Sequence, residues 1–268
     1  MVNSVGRFVW HELMTTDMVG AKAFYAKVLG WTARDAPMGG NSYSLFNTAE
    51  GPAAGVMKLP DEARQMGAKP YWLGYVRVDD VDAAAAQFKT FGGTVHVPPT
   101  DVPNIGRFSV VSDPQMATLA LVKGARPAQE PPQPRAPGHV VWNELFAADR
   151  KSAFAFYSAV FGWRRPESHA GAVEAYETIS VGDDVIGGIL DKSDALPIPF
   201  WLYFFSVDDV ESGIERVKAG GGQVLYGPAA LAAGGRIAHC RDAQGALFAL
   251  LDRRRPVSFS TKAGTQNR

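Results

Sequence analysis

A chain of 268 residues holds one large domain or two of ordinary size, and 46% hydrophobic against 20% charged residues describes a folded protein. Lysine plus arginine (27) balance aspartate plus glutamate (27), so no net field draws in nucleic acid or anionic lipid. A single cysteine, Cys240, excludes an intrachain disulfide, the opening MVNSVGRFVWHEL lacks the pattern expected of a secretory leader, and no run approaches the ~18 apolar residues of a membrane span. The expected setting is therefore the cytoplasm.

In chain order, residues 7 to 13 (RFVWHEL) read as a strand. The stretch DMVGAKAFYAKVLG reads as a helix with Asp17 as N-cap and Gly30 at its carboxyl end, and Ala21, Phe24, Tyr25 and Val28 form its apolar stripe. SYSLFNT and AAGVMKL read as short strands. The pattern then restarts with a strand YWLGYVRV, a helix DDVDAAAAQFKTFGG, and strands TVHV, RFSVVS and ATLALVK. Next comes GARPAQEPPQPRAPG (124 to 138), whose prolines favour extended backbone and predict a semi-rigid linker.

Beyond the linker the first half is written again. FVWHELMTTDMVGAKAFYAKVLGW (8 to 31) aligns with VVWNELFAADRKSAFAFYSAVFGW (140 to 163) without a gap, at an offset of 132. YWLGYVRVDDVDAA (71 to 84) matches FWLYFFSVDDVESG (200 to 213) at 129, so a surface loop of the second copy has lost three residues. Gly106-Arg107 likewise matches Gly235-Arg236, and Asp113 matches Asp242. Each copy is thus two βαβββ units: an α+β architecture with helices on one sheet face and the other face free to line a cavity. The expected division is residues 1–123, linker 124–138, residues 139–253 and a loose polar tail 254–268. The two copies pair within one chain or with a second chain; both remain open.

The segments AKAFYAKVLGW, VDDVDAA with its following Gly-Gly, and GR followed by DPQ resemble the vicinal oxygen chelate superfamily, which includes glyoxalase I, extradiol dioxygenases and bleomycin-resistance proteins. The resemblance covers both copies and implies two glyoxalase-like domains, four βαβββ units whose mixed sheets curl around ligand pockets. It also implies metal positions: first strand, seven residues before the helix-opening aspartate; fifth strand, six before the Asp-Asp pair; last strand, seven after Asp-Pro. Here these are Trp10, Leu73 and Ala120, then Trp142, Leu202 and Ala249. Indole, isobutyl and methyl groups offer no lone pair suited to Zn²⁺, Ni²⁺ or Fe²⁺, so no metal and no cofactor is expected. A register slip would bring His11 inward, but its counterpart is Asn143 and strand side chains alternate.

With Trp10 facing the pocket, the period of two places Phe8 and Glu12 beside it, and Trp142 with Glu144 in the second copy. Tyr71 and Tyr75 complete one wall; Phe200 and Phe204 make the other pocket drier. Trp72 and Trp201 have the opposite parity and are expected beneath the helices, while Phe24, Tyr25, Phe156 and Tyr157 pack helix to sheet. Glu12 and Glu144 either accept bonds from a ligand or act as general bases, or are structural, bonding neighbouring strands or an arginine such as Arg107 or Arg236. Both arginines are also candidate ligand contacts.

Nucleotide-binding glycine motifs and the GxSxG elbow are absent, and His239 and Cys240 are strand neighbours facing opposite ways. The expected function is metal-free binding of an aromatic or amphipathic small molecule, in the manner of the bleomycin-resistance proteins. The alternative is a lyase, isomerase or dioxygenase using Glu12, Glu144 or displaced metal ligands.

Overall fold

In the computed structural model, which describes residues 5–36, 42–65, 67–124, 137–166, 175–231 and 234–252, each half of the chain builds one open mixed sheet. The linker between 125 and 136 and the tail beyond 252 lie outside the described residues. The first copy runs β1 (Phe8–Thr15), α1 (Met18–Leu29), β2 (Thr32–Asp35), β3 (Tyr43–Thr48) and β4 (Gly51–Lys58). After a short α2 (Asp61–Gln65) it continues with β5 (Tyr71–Arg77), α3 (Val81–Thr90), β6 (Thr94–Val102), β7 (Gly106–Ser112) and β8 (Thr118–Gly124). The second copy runs β9 (Val140–Ala147), α4 (Arg150–Phe161), β10 (Tyr176–Val181) and β11 (Asp184–Asp191). It closes with β12 (Phe200–Ser206), α5 (Val210–Ala219), β13 (Gln223–Ala230), β14 (Arg236–Arg241) and β15 (Leu247–Asp252). Where β2 would recur, the second copy keeps an isolated bridge between Arg164 and Ser180.

The helices form where their caps allow. Asp17 and Asp149 leave extended backbone and accept the amide N–H three residues on, at 3.0 and 2.7 Å. Gly30 and Gly162 end the same helices in the left-handed region, at φ 73° and 70°. Ala21, Phe24, Tyr25 and Val28 form the buried stripe of α1.

The strand orders are β2-β3-β4-β1-β5-β8-β7-β6 and β10-β11-β9-β12-β15-β14-β13. Each sheet therefore joins its two βαβββ units through one antiparallel pair, β1 with β5 and β9 with β12. Registry refines the loop count. Glu12 faces Gly55 and Glu144 faces Gly188, an offset of 188 − 55 = 133, whereas 200 − 71 = 129. The second copy thus gained one residue before β10 and lost four between β11 and β12, where the first copy carries α2.

The helix-bearing faces of the two sheets meet and share one core that holds Tyr25, Trp31, Trp72 and Phe88 of one copy with Tyr157, Trp163, Trp201 and Phe205 of the other. Phe24, Tyr25, Phe156 and Tyr157 were expected to pack helix to sheet within a copy. They also reach across: Phe24 and Tyr25 touch Phe248, and Phe156 and Tyr157 touch Phe88. The reason is that helices on one sheet face leave their outer flanks apolar, and only a second sheet can cover them.

The junction is an internal two-fold. His11 Nε2 lies 3.1 Å from Asn143 Oδ1, joining equivalent positions, and the Gly74 N–H donates to its equivalent, Tyr203 Oη, at 2.8 Å. Other contacts come in reciprocal pairs. Tyr25 Oη donates to Asp242 at 3.2 Å and Tyr157 Oη to Asp113 at 3.0 Å. Trp31 Nε1 donates to the Gly138 carbonyl at 3.0 Å and Trp163 Nε1 to that of Gly6 at 2.7 Å. Each aspartate also accepts two backbone N–H groups of its own turn, from Gln115 and Ala117 or from Gln244 and Ala246. Trp72 and Trp201 donate to the two tyrosine hydroxyls, so an indole, a phenol and a carboxyl form a line through the core twice.

No helix among the described residues is long and apolar enough to cross a membrane. Replacing Tyr157 by Phe leaves the Trp201 indole N–H unpaired and takes one donor from Asp113, both inside the core. Urea unfolding of Tyr157→Phe is expected to show a loss of about 1–3 kcal/mol; a midpoint equal to that of the parent protein would contradict this account of the junction.

Candidate functional site

The sheet faces turned away from the junction each carry a smaller apolar cluster, the first and the second hollow of a glyoxalase-like sheet. In the first, Met14, Leu59, Leu73 and Ala120 are buried, with Tyr71 and Tyr75 partly buried against them. In the second, Leu202, Phe204, Ala249 and Leu251 are buried, with Trp142 and Phe200 against them. Strand registry explains why these residues meet. Trp10 faces Tyr75, Tyr75 faces Ala120, and Glu12 faces Leu73. In the second copy Trp142 faces Phe204, Phe204 faces Ala249, and Glu144 faces Leu202.

Phe8 corrects the expected alternation. A register shift between Phe8 and Trp10 breaks the period of two, so Phe8 turns to the junction, where it meets Trp163, Trp201 and Tyr203. It lines neither hollow. Trp72 and Trp201 lie on the junction side, the parity expected for them.

Glu12 is 4% exposed and takes its hydrogen bonds from phenols. Tyr75 Oη donates to Glu12 Oε2 at 2.7 Å, and the Tyr43 hydroxyl donates to the same carboxyl while accepting the Trp10 indole N–H at 3.2 Å. The second copy repeats the line: Trp142 Nε1 donates to Tyr176 Oη at 2.9 Å, and Tyr176 Oη donates to Glu144 Oε1 at 2.7 Å. The counterpart of Tyr75 is Phe204, so Glu144 lacks the second phenol. Burial raises the pKa of both carboxyls, and the phenol bonds oppose that rise in part. Burial and the Glu12 charge in turn raise the pKa of Tyr71 and Tyr75.

The expected arginine partners lie elsewhere. Arg107 pairs with Asp82 at 2.7 Å and Asp101 at 3.0 Å, and Arg236 pairs with Glu211. Asp82 and Glu211 are in the first turns of α3 and α5, so both arginines sit on the helix side of their strands and neither lines a hollow. Sequence parity between strands cannot reveal this, because it does not say which face of β7 or β14 joins that of β1 or β9.

Tyr43 and Tyr176 were missing from the candidate residues. Their signal was present: both follow a glycine-bearing loop and precede the strand whose glycine faces Glu12 or Glu144. A Cβ on Gly55 would lie 2.1 Å from Tyr43 Oη, and one on Gly188 would lie 2.2 Å from Tyr176 Oη. The glycines make room for the phenol–carboxyl contact.

The second hollow is closed further by its own rings. Phe204 is 3% exposed, Phe146 and Phe200 stack with centroids 4.9 Å apart, and both Phe146 and Phe204 meet His239 edge-on. His239 Nε2 is buried without a hydrogen-bond partner, and burial lowers the imidazole pKa to about 4. Its equivalent in the first copy is Val110 (239 − 129 = 110), so the two hollows differ in chemistry. Cys240 is buried among junction residues, away from the hollow.

The implied metal positions come together, but as carbon. Around Trp10, Leu73 and Ala120 the available ligand side chain among the described residues is Glu12, and around Trp142, Leu202 and Ala249 they are Glu144 and His239, short of the three protein ligands a catalytic metal wants. The donor set does not fit the ion. Among the described residues three carboxylates that could share an ion are Asp209, Glu211 and Asp252, on the helix side. Asp252 already accepts the N–H groups of Val210 and Arg236, and Glu211 pairs with the Arg236 side chain.

Two open mixed sheets of paired βαβββ units, each with an apolar and aromatic cluster on its free face, define a tandem two-domain protein of glyoxalase-like fold. The chain belongs to the Glyoxalase/Bleomycin resistance protein/Dioxygenase superfamily, whose family model matches residues 6–121 and 136–250. It is 34% identical over 253 residues to CFP32 of Mycobacterium tuberculosis, named there as a candidate glyoxylase, covering 90% of this chain and 93% of that one. It is 28% identical over 262 residues to the anthracycline biosynthesis protein DnrV of Streptomyces peucetius, covering 93% and 94%. Among solved structures, the Mn(II)-bound glyoxalase from Novosphingobium aromaticivorans aligns with TM-score 0.61 at 16% identity, over 93% of this chain and 82% of that one. The 2,3-dioxygenase LapB from Pseudomonas sp. KL28 aligns at 0.63 and 12%, over 94% and 93%. At these identities the structures share the fold alone.

Two outcomes test the site. Gly55→Ala is expected to push the Tyr43 hydroxyl off Glu12 and destabilise the protein by about 1–3 kcal/mol in urea unfolding, with a change in Trp10 emission; unchanged emission and stability would refute the close approach. The second concerns pH. A carboxyl whose folded pKa is raised above its ordinary value, 4.5 for glutamate, stabilises the fold below that value and loses the contribution as pH rises through the raised pKa. The stability of Glu12→Gln is therefore expected to fall less than that of the parent protein as pH rises above this range, measured by urea unfolding across a pH series; parallel curves would show that Glu12 carries no raised pKa.

Proposed function

We propose that this chain is a metal-independent small-molecule binding protein of its superfamily, acting in the cytoplasm on an aromatic or amphipathic ligand held in the curled sheets. The observation that carries the reading is the content of the six implied ligand positions: Trp10, Leu73, Ala120, Trp142, Leu202 and Ala249. Rings and alkyl groups there favour stacking and area burial over coordination. The relatives named for anthracycline biosynthesis agree with a role around aromatic molecules. Net charge near zero at pH 7 favours no nucleic-acid partner.

A second reading is an enzyme in which Glu12 or Glu144 acts as general base. It is favoured by one observation, a buried carboxyl of raised pKa bonded to a phenol in each copy.

Elemental analysis of the purified protein is expected to find less than one equivalent of Zn, Ni, Mn or Fe per chain, with no turnover of the methylglyoxal–glutathione hemithioacetal. A panel of flat aromatic ligands is expected to quench tryptophan emission, and Trp10→Ala to weaken uptake in the first hollow about 10- to 100-fold. Stoichiometric metal lost on replacing Glu12, or turnover abolished by Glu12→Gln, would replace this reading with the enzymatic one.

A further inference from the structure

The two hollows differ in what their rings already do. In the second, Phe146, Phe200, Phe204 and His239 pack on one another. In the first, Trp10, Tyr43, Tyr71 and Tyr75 stack on no second aromatic ring among the described residues, Trp10 and Tyr43 meeting only through an N–H to hydroxyl bond. Among the described residues no lysine or arginine lies over them, the cation–π contact there being Arg165 on Phe154 of α4. Their partner group is Glu12, buried and bonded to phenol donors, with no basic side chain among the described residues within ion-pair distance.

A buried carboxylate without a counter-ion is costly, and phenol donors compensate it only in part. An aromatic wall adds to the mismatch, since ring faces are negative. One class of ligand relieves both terms at once. A cation brings the missing opposite charge and is attracted to the ring faces, more so where water is excluded.

On this basis, and resting on the binding role proposed above, we infer that the first hollow receives the ammonium group of an amine-bearing organic molecule, with Glu12 as counter-ion and Trp10, Tyr71 and Tyr75 as the walls. The apolar body of such a ligand lies against Met14 and Leu73, which share the hollow. The Tyr43 and Tyr75 hydroxyls hold the carboxylate toward it and prevent its rotation. The second hollow does not share this preference: Phe204 replaces Tyr75, Phe200 replaces Tyr71, and the rings are committed to each other.

The test compares two probes of similar shape by calorimetry and tryptophan emission on the full chain: 2-phenylethylamine, an ammonium at pH 7, and the neutral 2-phenylethanol. The amine is expected to bind about tenfold tighter or more. Glu12→Gln removes that preference by weakening the amine. The ratio of amine to alcohol affinity in the parent protein is a readout that needs no variant to fold. Equal affinities, or a preference that survives in folded Glu12→Gln, overturn the ammonium site while uptake of the alcohol leaves the binding role standing. Failure of both probes, and of the aromatic panel, overturns the inference together with the role it rests on.

Discussion

The structure depends on covering one apolar surface. Each half of the chain buries a hydrophobic sheet under its own helices, and those helices remain apolar on their outer flanks. Among the described residues, the surface that covers them is the same surface of the other copy. Burial of the rings around Tyr25, Trp72, Tyr157 and Trp201 drives the union. The indole–phenol–carboxyl lines through Asp113 and Asp242 fix its register, because a shifted junction would strand four buried polar groups. Duplication of the sequence is thereby turned into an internal two-fold axis, marked where His11 meets Asn143 and Gly74 meets Tyr203.

That junction consumes one face of each sheet and leaves the other outside it. The hollows are consequently far from the symmetry axis in role: contacts at the axis are constrained by both copies, whereas residues in the hollows are free to diverge. They have diverged. Tyr75 and Val110 in the first copy stand where Phe204 and His239 stand in the second, and α2 follows β4 in the first copy alone among the described residues. Yet the tryptophan, tyrosine and glutamate line was kept in both. A buried carboxyl needs donors wherever it sits, so retaining Glu12 and Glu144 requires retaining Tyr43 and Tyr176, and the glycines opposite them.

The opening hexapeptides, FVWHEL and VVWNEL, carry both themes. His11 and Asn143 point to the axis and tie the copies together; Trp10, Glu12, Trp142 and Glu144 point away and form the hollows. Alternation along a strand is what lets one short segment serve the junction and the site at once. The bulge before Trp10 sets the phase, sending Phe8 to the junction and not to the face that carries Trp10.

The amino-acid sequence by itself determined the duplication, the α+β units, the helix caps at Asp17 and Asp149, the superfamily, and the absence of lone-pair donors at the usual metal positions. These are properties of spacing and residue type, and they survive without coordinates. Three matters were decided only by tertiary structure: the partners of Glu12 and Glu144, the orientation of Arg107 and Arg236, and the side taken by Phe8. Each depends on which strand lies beside which, and in what register, and a one-residue bulge reverses the facing of everything before it. Periodicity describes a strand in isolation; a phenol on β3 meets a carboxyl on β1 only because β4 lies between them with a glycine small enough to let the two touch.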